Sequence, residues 1–97
     1  MIQSFASKDI ENFFFDDKLP RGAGWANVRK IARRKLAALD AAHLLEDLRV
    51  PPGNQLEALK GELAGYFSIR VNNQWRVIFK WPGSAQGPSD VDVVDYH

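Results

Sequence analysis

Residues 63–81 hold two runs rich in β-branched and aromatic residues, separated by Asn72-Asn73, and their side-chain alternation admits one hairpin. A two-residue turn at Asn72-Asn73 would place Phe67 and Ile69 beside Arg76, leaving neither face apolar. A three-residue turn over Asn72-Asn73-Gln74 sets Val71 opposite Trp75 and gathers Phe67, Ile69, Val71, Trp75, Val77, Phe79 and Trp81 on one side. The apolar pattern selects the second register. The other face then displays Tyr66, Ser68, Arg70, Arg76, Ile78 and Lys80. A surface of cations with a phenol and a hydroxyl suits a phosphate backbone with stacked bases, and it is equally the wet face that antiparallel sheets commonly keep.

The elements around this hairpin follow from periodicity. Ile2 to Phe5 reads as a first strand, and Ser7 as the N-cap of a helix with Asp9 and Glu11 in its first turn and Ile10, Phe13 and Phe14 on its buried side. Pro20, Gly22 and Gly24 end that helix. A second helix is expected from about Trp25 to Ala42, burying Trp25, Val28, Ala32, Leu36 and Leu39, with a further turn at Leu44 to Leu48 before Pro51-Pro52-Gly53. Strands are expected near Gln55 to Leu59, Leu63 to Val71, Gln74 to Trp81 and Val91 to Tyr96. The order predicts an α+β domain over residues 1–97, an N-terminal strand and two helices packed on one face of a twisted antiparallel sheet.

Cysteine is absent, which excludes thiol catalysis, disulfides and Cys-ligated zinc. His43 and His97 stand at no metal-binding spacing, so neither a metal nor another cofactor is expected. His43, at the end of the second helix, is assigned no chemistry. No signal-like N-terminus or membrane-length apolar run occurs, and a soluble cytoplasmic protein without membrane contact is expected. The net charge of +1 forecasts no nucleic-acid affinity by itself, yet Arg29, Lys30, Arg33, Arg34 and Lys35 put five cations in seven positions while residues 82–97 carry Asp90, Asp92 and Asp95 and no lysine or arginine. On a helix, Arg29, Lys30, Arg33 and Arg34 form exposed rows of like charge at i, i+4. These are either a solvated face or a surface for a polyanionic or acidic partner.

The chain closes on Asp95-Tyr96-His97 directly after the valine-rich run, where a strand end would hold an acid, a phenol and an imidazole still. That arrangement suits proton transfer, the alternative being a charged, solvated tail.

Leu59-Lys60-Gly61, Gly65-Tyr66-Phe67-Ser68-Ile69-Arg70-Val71, Gln74-Trp75-Arg76-Val77-Ile78-Phe79 and the terminal Asp95-Tyr96-His97, with the opening Met1-Ile2-x-Ser4-Phe5, resemble the HigB-type toxins of the RelE/ParE superfamily over nearly the whole chain. The resemblance implies a compact RelE-like, microbial-RNase-type fold. It also implies a type II toxin that cuts messenger RNA in the ribosomal A site without a metal, and a separate helix-turn-helix antitoxin, HigA, through whose complex alone operator DNA would be bound. Residue by residue, it places Lys60 and Arg76 near the scissile phosphate and Asp95, Tyr96 and His97 in the catalytic C-terminus. Arg76 would clamp the phosphate, His97 would move a proton, Tyr96 would stack on or orient the nucleotide, and Asp95 would hold His97. Arg70 and Lys80 follow from the face argument as RNA contacts, and Arg29, Lys30, Arg33 and Arg34 as contacts to ribosomal RNA or to acidic antitoxin. Some members carry histidine three residues before the motif lysine. Glu57 stands there in this chain, either as a base sharing the work with His97 or as a surface acid paired with Lys60. Two other activities fit such a chain: a ParE-like, non-catalytic poison of DNA gyrase, and a degenerate toxin that only binds its antitoxin.

Overall fold

The structure is a computed structural model and describes residues 1–95, so Tyr96 and His97 lie outside the described residues. Helix α1 spans Lys8–Asp16 and α2 spans Arg29–Ala41. Strands β1 (Glu57–Ala58), β2 (Tyr66–Arg70), β3 (Trp75–Lys80) and β4 (Ser89–Asp95) form an antiparallel meander in that order. Ser7 caps α1, its hydroxyl accepting from the Ile10 amide at 3.3 Å. The expected first turn of the second helix is a separate 3₁₀ turn, Ala26–Val28, preceded by Trp25, whose side chain cannot cap.

One core joins helices and sheet. Ile10 and Phe13 of α1 and Ala32, Leu36 and Leu39 of α2 are buried against Ile69, Val77, Phe79, Val91 and Val93 from the central strands. Phe13 meets Trp25 edge-on with ring centroids 4.7 Å apart. The fold is α+β, with both helices on one face of the sheet as expected.

The hairpin has the register selected above: Phe67 pairs with Phe79, Ile69 with Val77 and Arg70 with Arg76, and the Val71 amide donates to Trp75 O at 2.9 Å. The turn is held by the Asn72 side chain, whose Oδ1 accepts from the Gln74 and Trp75 amides at 2.9 and 2.7 Å.

Four expectations need correction. The N-terminal strand is a single parallel bridge, Phe5 to Val91, with the Gln3 amide donating to Pro88 O and the Ala6 amide to Val91 O. It meets β4 beside an irregularity between Ile78 and Lys80, where Asp90 takes φ 51°, and such a bulge bends the strand and halts further pairing. Strand β1 begins at Glu57 instead of Gln55 because Gln55 is left-handed (φ 47°) and cannot be part of an extended run. Strand β2 begins at Tyr66 because a 3₁₀ turn, Gly61–Leu63, and then Gly65 intervene. Gly61 (φ 68°) and Gly65 (φ 95°) occupy conformations that L side chains resist, and the first lets the chain turn immediately after Lys60. Finally, the hairpin's outer face is not wet throughout, since Ser68 is 0% exposed and Ile78 6%.

Candidate functional site

The sheet face turned away from the helices is organised in rows by strand pairing, because directly opposed residues point to the same side. The first row runs Glu57, Ser68, Ile78, Asp92 across all four strands. Beside it lies Arg70, Arg76, Val94, and on its other flank Tyr66 opposes Lys80. Arg76 is half-buried and its Nη2 donates to Gln55 Oε1 at 3.4 Å, so the left-handed Gln55 brings an amide oxygen against this guanidinium. Lys80 lies over the Tyr66 ring, its Nζ 5.0 Å from the centroid, and 3.5 Å from Asp90.

Among the expected site residues, the register therefore brings Glu57, Arg70, Arg76 and Lys80 to one face. Lys60 follows β1 and is exposed, one residue before the Gly61 turn. Glu57, on β1 three residues before Lys60, is exposed as Lys60 is. Asp95 sits at the end of β4 opposite Trp75, on the alternate row from Arg76, and accepts from Gln74 Nε2 at 2.9 Å. Its expected contact with His97, and the placements of Tyr96 and His97 themselves, fall outside the described residues.

Asp92 was not singled out among the expected site residues. It is half-buried, no cation lies within ion-pair distance of it among the described residues, and its Oδ1 accepts from the Val93 amide at 2.8 Å. Burial holds its carboxyl above the usual carboxylate range, only partly offset by that amide. Its alternation with Val91 and Val93 was visible, but its burial depends on what packs beside it. Ser68 Oγ is likewise buried and accepts or donates no hydrogen bond among the described residues.

The basic row of α2 belongs to the helix whose Ala32, Leu36 and Leu39 pack into the core. It lines a cavity of about 750 Å³ between Phe14, Asp17, Arg29, Lys30, Arg33, Arg34 and Ala37. The row's charge is not unrelieved, which corrects the reading of like charges alone. Asp17, left-handed at the end of α1, pairs with Arg29 at 2.8 Å and Arg33 at 3.7 Å. The Arg29 guanidinium holds the Asp17 carboxyl below its ordinary range. Among the described residues, no three His, Cys, Asp or Glu side chains converge as a metal site requires, and no helix is long and apolar enough to cross a membrane.

With this geometry in place, comparison with known proteins is informative. Residues 3–97 match the family model of the HigB-like toxins, described as RelE-like toxins of type II toxin-antitoxin systems. The chain is 47% identical over 81 residues to Toxin HigB-1 of Vibrio cholerae serotype O1, covering 84% of each protein. It is 43% identical over 72 residues to a Haemophilus influenzae protein named only as uncharacterized, covering 74% of this chain and 71% of that one. Among solved structures it is similar to a YoeB/ParE toxin from Agrobacterium tumefaciens, with a TM-score of 0.42 and 22% identity over 75% of this chain and 90% of that one.

Proposed function

Because the chain belongs to the HigB-like family of RelE-like toxins from type II toxin-antitoxin systems, and so has an antitoxin as partner, we propose that it is a ribosome-dependent endoribonuclease that cuts messenger RNA. The observation that carries this reading is the adjacent pair Arg70 and Arg76 on the sheet face away from the helices, in the row next to Glu57. Two guanidiniums on a stiff sheet can grip successive phosphates and hold the one under attack bidentately.

The reaction needs few parts. A base takes the proton from the ribose 2′-OH, the oxygen attacks the neighbouring phosphorus, and the bond to the 5′-oxygen breaks as that oxygen receives a proton, leaving a cyclic phosphate. Arg76 and Lys60 neutralise the charge that grows on the phosphorane oxygens. Glu57 and His97 divide the proton transfers, Asp95 orients His97, and Tyr96 stacks on the nucleotide. Arg70 and Lys80 hold the flanking strand, and Arg29, Lys30, Arg33 and Arg34 meet ribosomal RNA or antitoxin. The antitoxin is of the HigA helix-turn-helix type, operator DNA is met only through the antitoxin complex, and the toxin acts in the cytoplasm.

Purified protein added to ribosomes carrying a defined message tests this directly. Cuts in the ribosome-bound message that disappear with Arg76→Ala support the reading. Undamaged message together with inhibited DNA gyrase would replace it with gyrase poisoning, and neither effect would leave a protein that only binds its antitoxin.

A further inference from the structure

Among the described residues, Asp17 (φ 55°), Gln55 (φ 47°) and Asp90 (φ 51°) take the left-handed backbone conformation without being glycine. Aspartate is enriched in that region, whereas glutamine is not, and glycine would occupy it without strain. Each of the three side chains engages a cation. An Asp17 oxygen lies 2.8 Å from Arg29 Nη2 and an Asp90 oxygen 3.5 Å from Lys80 Nζ, while Gln55 Oε1 accepts from Arg76 Nη2 at 3.4 Å. The two carboxylates offset the charge they hold. The amide is neutral, so it can orient the Arg76 guanidinium and leave its charge in place for an anion.

The backbone that carries Gln55 is fixed on both sides. Before it, Asn54 is 1% exposed; its Nδ2 donates to Leu48 O at 3.1 Å and Val50 O at 3.3 Å, and its Oδ1 accepts from Lys35 Nζ of α2 at 2.6 Å. After it, β1 begins at Glu57 and pairs with Ser68 of β2. The Gln55 amide itself donates to Pro52 O at 3.1 Å. The Gln55 side chain is exposed, and its hydrogen bond to Arg76 is its only one among the described residues. A strained residue over-determined by its surroundings, with one polar contact and that contact to a cation of the site, follows the pattern in which backbone strain serves function.

We propose that Gln55 is a positioning residue: its amide oxygen sets the orientation in which Arg76 meets the phosphate under attack, and its neutrality keeps the guanidinium fully charged. The proposal rests on the RNase reading for the identity of that phosphate. A phosphorane gathers charge on oxygens of fixed direction, so a guanidinium already turned to them loses less conformational freedom as the transition state forms. In this role Gln55 touches no reacting atom and acts through Arg76.

The test takes the full chain as wild type, Gln55→Gly and Gln55→Glu through two measurements. The first is the order of the Arg76 Nε–H vector by nitrogen relaxation in NMR, without RNA. Gln55→Gly should loosen it while the urea midpoint stays at or above that of wild type, because the left-handed strain is gone, and Gln55→Glu should keep it ordered. The second is single-turnover cleavage of a ribosome-bound message. For Gln55→Gly the saturating rate should fall about tenfold, the worth of one hydrogen bond to a charged group, with little change in affinity for the ribosome. Gln55→Glu should fall at least as far, because its carboxylate offsets the charge that the phosphate needs. Equal Arg76 order in wild type and Gln55→Gly would overturn the proposal, and so would a wild-type cleavage rate in either variant. If Gln55→Gly loosens Arg76 and wild type cuts no ribosome-bound message, the RNase reading fails while the orienting of Arg76 by Gln55 stands.

Discussion

Asn54→Ala removes the most deeply buried amide of the chain, and the consequences can be worked bond by bond. The Leu48 carbonyl belongs to a residue 2% exposed and loses its donor at 3.1 Å, an orphaned buried acceptor that costs about 1–3 kcal/mol. Val50 is 74% exposed, so water replaces its bond at little cost. Lys35 is partly accessible and recovers part of its lost acceptor from solvent, leaving a further ~0.5–1 kcal/mol. The sum is about 1.5–4 kcal/mol, which for a domain of this size lowers Tm by roughly 6–30 °C. Urea unfolding should show a lower midpoint with an unchanged slope. Asn54→Asp separates the two halves of the amide. It keeps an oxygen toward Lys35 and adds a relieving charge, yet loses the donor to both carbonyls, and it is expected to stay below wild type. A loss under about 1 kcal/mol for Asn54→Ala, or an Asn54→Asp variant at or above wild type, would refute the assignment of the stabilisation to the carbonyl bonds.

Three further outcomes follow from the same geometry. The Asp92 carboxyl titrates above its unfolded value of 3.8, so its ionisation opposes folding and the penalty grows as pH rises from 3.8 through the shifted value. Asp92→Asn should therefore gain stability relative to wild type at neutral pH and lose that advantage in acid, and a difference flat with pH would contradict the burial argument. Gly61→Ala places a side chain at φ 68°, costing about 1–2 kcal/mol and displacing Lys60, so message cleavage should fall more than folding does; an unaffected cleavage rate would show that the turn does not position Lys60. Asp17→Asn retains a residue type that tolerates φ 55° while releasing Arg29 and Arg33, so binding of a polyanion such as heparin should tighten; unchanged binding would show that those cations are not held back by Asp17.

What could be read from the sequence was whatever depends on neighbours in the chain. The Ser7 cap, the Ile10 and Phe13 face, the Ala32, Leu36 and Leu39 stripe and the hairpin register all rest on local periodicity, and all are present. Features set by distant contacts were not legible. Asn54 sits within a Pro-Gly segment that reads as a breaker, yet it ties Lys35 of α2 to the Leu48 backbone. Asp17 lies in another breaker and neutralises half of the basic row from outside the helix. The left-handed Gln55 and Asp90 shorten β1 and bulge β4, and no residue type at those positions announces it. At the site, the rows bearing Arg70, Arg76 and Lys80 were implied by alternation, whereas Glu57, singled out by the family resemblance, joins them only through its pairing with Ser68. The half-buried Asp92 and the enclosed Ser68 hydroxyl emerge only once the sheet is assembled, because burial belongs to the packed fold.

Cleavage of messages under translation is the activity proposed for this toxin. Mapping messenger-RNA 5′-ends across the transcriptome after induction of wild type and of His97→Ala tests it most directly. Cuts confined to translated frames with wild type, and lost with His97→Ala at equal protein level, are the predicted result. Growth arrest by wild type without any new 5′-ends would contradict it.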